Sequence, residues 1–331
     1  MSPSSPVGSG GVSQINHVAA LGGGLIGRSW TVLFLAAGKS VTLFDPDPAT
    51  EDRVKETLEQ AWPVMQRLGL AKTSEPTGAF DVCSNARDAV EGAQFVQESI
   101  PERIALKHDL YAAIEPILGD GTVVASSASG LTLSELQGGW KDPGRLVLGH
   151  PFNPPHLIPL VEVMGNAATT PWAVPWTRQF YESIGKVTIE VKREVPGHVA
   201  NRLQAALWRE AIYLMKQGVA SVEDIDTAVS SGPGVRWAVM GPSLLFHLGG
   251  DDGGLATFCE RYSNSFNRWW DDLGDPRLDD ATAAELVHGI TESTTAGIAE
   301  LVVKRDALLT EVIAATHGRS TSEPDASAVA E

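Results

Sequence analysis

Asn16-His17-Val18-Ala19-Ala20-Leu21-Gly22-Gly23-Gly24-Leu25-Ile26-Gly27 is the stretch on which the fold of this chain turns. A short apolar run stops at three glycines, and the positions of a G-x-G-x-x-G fingerprint fall on Gly22, Gly24 and Gly27. In a chain with 33 glycines the hexapeptide alone carries little weight, so its flanks decide. Downstream, Leu25, Ile26, Trp30, Leu33, Phe34 and Ala37 recur at three- and four-residue spacing until Gly38, which predicts a helix. Ser40-Val41-Thr42-Leu43-Phe44 then reads as a second strand ending at Asp45, eighteen residues past Gly27.

Each part has a task in binding a dinucleotide. Gly22 permits the tight turn, Gly24 lets the backbone approach a pyrophosphate, and Gly27 lets the helix pack close to the sheet. Leu25 and Ile26 open the helix and offer backbone N–H groups at its positive end. Asp45 is placed to accept hydrogen bonds from the adenosine ribose and to repel a 2′-phosphate. No Lys or Arg occurs from Pro46 to Asp52, so the expected cofactor is NAD rather than NADP.

Strand and helix go on alternating. A helix over 47–70 that contains Pro63 is followed by short strands at 81–83 and 94–97 and a helix over 103–118. Strands at 122–125, 146–148 and 186–191 complete the pattern. This predicts an α/β Rossmann-type fold, a doubly wound parallel sheet over 14–196. After Pro196-Gly197 only helical periodicity remains, so 197–317 is expected to be an all-α C-terminal domain. From His198 to Gln217 one stripe carries Val199, Leu203, Leu207 and Leu214, and another Ala205, Trp208, Ile212 and Met215. A helix apolar on two sides is expected to be buried on two sides. Further helices are expected near 221–231, 242–248, 255–269 and 279–315, with flexible tails at 1–13 and 318–331.

A second informative run is Gly149-His150-Pro151-Phe152-Asn153-Pro154-Pro155, with Leu160-Val161-Glu162-Val163 after it. A histidine between glycine and proline sits on a stiff, turn-prone backbone. Glu162 stands among Leu, Val and Met, where an unpaired carboxylate is costly to bury. Pairing with His150 would relieve that cost and give a carboxylate-oriented general acid/base. Spacing alone does not separate this from a loop histidine and a strand-edge glutamate.

Composition excludes several classes of function. At 43% apolar and 20% charged residues the chain is an ordinary globular protein, and a net charge of −16 argues against nucleic-acid or anionic-membrane partners. Cys83 and Cys259 are expected to be reduced thiols in a cytoplasmic protein. Two cysteines and eight histidines show no metal-site spacing, and no run reaches membrane-spanning length.

Taken with Glu194-Val195-Pro196-Gly197-His198-Val199-Ala200-Asn201-Arg202-Leu203, these motifs resemble the L-3-hydroxyacyl-CoA dehydrogenase superfamily over about residues 15–317. Ile26-Gly27-Arg28-Ser29-Trp30, Ala89-Val90-Glu91-Gly92-Ala93 and Phe258-Cys259-Glu260-Arg261-Tyr262-Ser263 are similar to the lambda-crystallin (L-gulonate 3-dehydrogenase) branch. Ala206-Leu207-Trp208-Arg209-Glu210-Ala211, Val235-Arg236-Trp237 and Arg305-Asp306 resemble L-carnitine 3-dehydrogenases as much. The resemblance implies an NAD-dependent dehydrogenase of a small 3-hydroxy acid, gulonate-like first, with carnitine, an acyl-CoA, or a permissively reduced ketone or imine as alternatives. A non-enzymatic, crystallin-like structural role is the remaining one. It also implies a homodimer through the helical domain.

Carried over residue by residue, the resemblance makes His150 and Glu162 the catalytic pair, and Ser129 and Asn201 partners of the substrate oxygen. Ser127-Ala128-Ser129-Gly130 departs from the family's Asn-Thr-Ser-Ser, and His198 stands where a bulky apolar residue is usual. Glu98, after a strand at the expected cofactor edge, suits a nicotinamide-ribose or carboxamide contact and an ordinary loop acid equally. Lys107 is a further candidate for that ribose, although a solvated helix lysine is the commoner case. Arg236, in a glycine-rich approach to an apolar segment, has the fork geometry for a substrate carboxylate, with an interdomain ion pair as the alternative. Most of the nine tryptophans are better explained as core and interface; Trp237 and Trp208 alone lie near expected pocket segments, where an aromatic face would suit a trimethylammonium group, the lesser reading.

Overall fold

The structure is a computed structural model that describes residues 12–317. The tails expected at 1–13 and 318–331 therefore lie outside the described residues, except that Val12 opens the 3-10 turn Val12–Gln14. The chain divides into two compact units, one running to Val199 and resuming at Ile313, the other Ala200–Val312.

In the first unit β1 (His17–Leu21), α1 (Leu25–Ala36), β2 (Ser40–Phe44), α2 (Thr50–Arg67), β3 (Phe80–Cys83) and α3 (Ala86–Val90) lead to β4 (Phe95–Glu98). α4 (Ile104–Ile114), β5 (Val123–Ser126), α5 (Leu133–Gln137), β6 (Leu146–Pro151), β7 (Leu160–Met164), α6 (Ala173–Ser183) and β8 (Val187–Glu190) follow. The eight strands form one sheet in the order β3-β2-β1-β4-β5-β6-β7-β8. All neighbours are parallel except β6 and β7, which run antiparallel. The sheet is thus mixed rather than wholly parallel, and β7 returns directly beside the strand that carries His150.

The central strands β4, β5 and β6 are buried at every position, and the polar Gln97, Glu98, Ser126 and His150 among their apolar residues are all hydrogen-bonded. An aromatic cluster fills one face: Trp30 stacks on Phe34 and Tyr181 at 5.4 Å each, and Phe95 meets Phe180 at 4.3 Å. Val90, Tyr111, Ile114, Leu133 and Trp140 belong to the apolar cluster on the other. Pro63 lies inside α2 without ending it. Lys186 is buried under the aromatic face, its Nζ donating to the carbonyls of Pro155 and Ile158 and lying 5.1 Å over the Trp30 ring.

The second unit is helical: α7 (Ala200–Lys216), α8 (Val222–Ser231), α9 (Pro233–Val239), α10 (Pro242–Leu248), α11 (Gly254–Asp272) and α12 (Asp280–Ser293), with most of α13 (Ile298–His317). The single helix expected over 279–315 is two, separated by residues 294–297 around Gly297. The Arg236 segment is helical as well. The expected two-sided burial of α7 is not met among the described residues: Ile212 alone of that helix is buried, whereas Leu203 and Trp208 are 68% and 49% exposed.

Candidate functional site

The carboxyl ends of β1 and β4 mark the point where strand order reverses, and there the crevice of such a sheet opens. Gly22 has φ +100°, and a Cβ on it would stand 2.8 Å from the Ser99 carbonyl oxygen after β4. A Cβ on Gly27 would fall 1.7 Å from the Gly22 oxygen, so helix and turn touch backbone to backbone. Gly24 differs: a Cβ there would meet nothing within 4 Å, leaving open space at the start of α1, where no side chain caps the N–H groups. Leu25 and Ile26 follow in that first turn, and Arg28 keeps its buried Nε without a hydrogen-bond partner among the described residues. An uncapped positive helix end beside an open cradle fits a pyrophosphate.

Asp45 ends β2 and braces this turn. Its Oδ2 accepts the Gly23 N–H at 2.6 Å and its Oδ1 the Asp47 N–H at 2.9 Å. Arg53, the first basic residue after it, is engaged by Asp47 at 2.7 Å and Thr50 at 2.9 Å.

Glu98 and Lys107, both expected near the cofactor, are engaged with one another inside the fold. Both are buried, at 0% and 1% exposure, and Lys107 Nζ donates to Glu98 Oε1 at 2.5 Å. Oε1 also accepts the Ile100 N–H at 2.8 Å, while Oε2 accepts the hydroxyls of Tyr111 at 2.7 Å and Ser126 at 2.6 Å. Burial, and then the neighbouring carboxylate, push the Tyr111 hydroxyl well above its ordinary pKa, so it stays a donor. The carboxylate thus ties β4, β5 and α4 together from inside, a tertiary role that no local pattern announces.

Sequence reasoning also missed Glu102. Its carboxylate accepts the Ser129 N–H, the Ser129 hydroxyl at 2.7 Å and the Gly130 N–H at 3.1 Å. Partial burial opposes its ionisation, but the hydrogen bonds from Ser129 and Gly130, with Lys107, hold the carboxyl below its ordinary value. Ser129 is therefore seated by an acid from the loop after β4. The only sign in the sequence was another glutamate four residues past Glu98.

His150 lies within β6, not in a turn beyond it, and stands opposite Glu162 in the antiparallel ladder. Its Nδ1–H donates to Glu162 Oε2 at 2.8 Å, which leaves Nε2 with the lone pair. His150 is 5% exposed and Glu162 fully buried, so the bond is shielded from water. Glu162 Oε1 accepts the Val199 N–H at 2.9 Å. The neighbouring His198 ring lies 5.1 Å from His150 and donates Nε2–H to the Ala128 carbonyl at 3.3 Å. His198 and Val199 so link the serine loop to the His150–Glu162 pair. Behind them Gly149 leaves room for the Tyr181 hydroxyl, 2.2 Å from where a Cβ would stand.

Asn201 opens α7, while Arg236 and the 41%-exposed Trp237 lie on α9, all in the second unit. Trp208 is on α7. Among the described residues no group of three His, Cys, Asp or Glu side chains could hold a metal ion, and no helix is long and apolar enough to cross a membrane.

The model of the 3-hydroxyacyl-CoA dehydrogenase NAD binding domain matches residues 17–195, and that of the 3-hydroxyacyl-CoA dehydrogenase C-terminal domain matches 197–286. An L-carnitine dehydrogenase of Streptomyces coelicolor is 46% identical, over 94% of this chain and 98% of its own length. One from a Pseudomonas species is 38% identical, over 94% and 99%. Among solved structures, 5-formyl-3-hydroxy-2-methylpyridine 4-carboxylic acid 5-dehydrogenase, an NAD-dependent dismutase, superposes with a TM-score of 0.79 at 33% identity, covering 93% of this chain and all of that one.

Proposed function

Because the chain belongs to the 3-hydroxyacyl-CoA dehydrogenase family, as an NAD-dependent dehydrogenase of a 3-hydroxy acid, we propose that its substrate is L-carnitine, oxidised to 3-dehydrocarnitine. The observation that carries this is identity of 46% and 38% to L-carnitine dehydrogenases across more than nine-tenths of both chains. That full-length likeness outweighs the short segments that favoured L-gulonate. Carnitine is a free 3-hydroxy acid, so the chemistry expected of the site is unchanged.

When bound, NAD would supply the acceptor for the hydride that leaves the carbinol carbon. His150 Nε2 takes the hydroxyl proton, and Glu162 stabilises the imidazolium that results. Ser129 and Asn201 hydrogen-bond the substrate oxygen as it changes from alcohol to carbonyl. Arg236 pairs with the free carboxylate. Gly22, Gly24, Leu25, Ile26 and Gly27 seat the pyrophosphate, and Asp45 the adenosine ribose. The apolar side chains that α7 leaves exposed support a homodimer built through the helical unit.

A panel of L-carnitine, L-gulonate, L-3-hydroxybutyrate and its CoA ester, followed by NADH absorbance, tests the reading. The expected outcome is the highest kcat/KM with L-carnitine. A higher value with any of the other three overturns it.

A further inference from the structure

Arg28 lies in the first turn of α1, and its guanidinium forms no hydrogen bond or ion pair among the described residues. Its Nε is buried and has no acceptor. Withdrawing a cation from water without a partner is costly. Lys107 and Lys186, also withdrawn from solvent, both find acceptors, the first in Glu98 and the second in the carbonyls of Pro155 and Ile158. A chain with 41 acidic residues against 25 basic ones offers anions in abundance, yet none is paired with Arg28.

The open space lies one turn back. The Arg28 N–H donates to the Gly24 carbonyl at 3.0 Å, so the two residues stack at i and i+4 on one side of the helix. Helical side chains lean toward the N-terminus and cover the turn that precedes them. The Arg28 side chain therefore leans toward Gly24, where a Cβ would meet nothing within 4 Å.

The charge balance of this turn is incomplete for the ligand it fits. A dinucleotide diphosphate carries about two negative charges, whereas a helix end supplies about half a positive one. Asp45, 2.6 Å from the Gly23 nitrogen, adds a further carboxylate to the same turn. We propose that Arg28 is a cofactor-binding residue whose guanidinium pairs with the diphosphate of NAD. Its planar fork suits two phosphate oxygens at once. This rests on the reading of Gly22–Gly27 as the diphosphate cradle and adds to it a full charge that the glycine fingerprint lacks.

The test measures, by calorimetry, the dissociation constants of NADH and of ADP-ribose, which keeps the diphosphate without the nicotinamide. The native protein is compared with Arg28→Met, Arg28→Lys and Gly24→Val. Arg28→Met keeps an apolar stem and should weaken both ligands about tenfold, the scale of one charge-assisted contact. Arg28→Lys should recover only part, because a point charge does not reproduce the fork. The difference between native and Met proteins should shrink at high salt. Without ligand, Arg28→Met should melt at or above the native midpoint, since no partner within the protein is lost. Native ADP-ribose affinity in Arg28→Met overturns the assignment. A Met variant that fails to fold, or melts well below the native protein, assigns Arg28 to the protein's own packing and overturns it likewise. Gly24→Val tests the cradle itself, because the protein leaves room for that side chain and the ligand does not. If Gly24→Val weakens NADH binding and Arg28→Met does not, the cradle stands and Arg28 falls; if neither weakens it, both fall.

Discussion

Glu162 Oε2 takes the Nδ1–H of His150 at 2.8 Å from the directly opposing position of the β6–β7 ladder, and neither residue is more than 5% exposed. Backbone pairing, rather than two mobile side chains, sets the distance. His150→Gln should therefore lower kcat about 10²–10⁴-fold while NADH binding, followed by fluorescence titration, is retained. Glu162→Gln should lower kcat as well, because the imidazolium loses its charged partner. Near-native turnover in His150→Gln would remove it from the mechanism.

The second prediction concerns cofactor choice. Asp45 accepts the Gly23 N–H within the glycine turn proposed to hold the dinucleotide, and Arg53 is already engaged by Asp47 and Thr50. Asp45→Ala should reduce the NAD-over-NADP ratio of kcat/KM about tenfold, as loss of one nearby repulsive charge predicts. Comparable efficiency of the native enzyme with both cofactors would contradict this role.

A third follows from Lys186, whose burial lowers its pKa from 10.5 to about 7. Between those values the unfolded chain holds a proton that the folded one has released, so stability rises with pH across the window. The contribution is complete above the unfolded value and lost as pH falls through about 7. Urea midpoints from about pH 6 to 9.5 should climb more steeply for the native protein than for Lys186→Met. Parallel curves would show that Lys186 does not titrate in that range.

Much of this could be read in the sequence, for physical reasons that differ from place to place. The turn at Gly22–Gly27 is largely local: Gly22 and Gly27 are required by close backbone contacts within a few residues or just across one strand, whereas Gly24 borders open space. The pairing of His150 with Glu162 was suggested by the cost of burying a lone carboxylate. The strand direction that achieves it was not legible, since alternation does not distinguish a parallel neighbour from an antiparallel one. Glu98 reads like a site acid because it ends a strand at the crevice. Only Lys107, Tyr111 and Ser126, brought in by two other elements, turn it inward. Glu102 and the ring of His198 escape for a related reason: each has meaning only beside Ser129 or His150. The exposed stripe of α7 is the opposite case, in which the pattern predicts a partner that the described residues do not supply.

The Glu98 carboxylate also bears on how firmly the proposed cofactor crevice is held by the protein itself. Four donors from β5, α4 and the loop after β4 converge on it. The wall between the β4 and β5 ends is therefore fixed before any dinucleotide arrives. A preformed wall loses little entropy on occupation, so affinity there reflects complementarity rather than the ability of a ligand to organise the loop. Damage to this buried cluster should thus be felt as weakened cofactor binding, through a carboxylate that is 0% exposed and bonded to four groups of the protein itself.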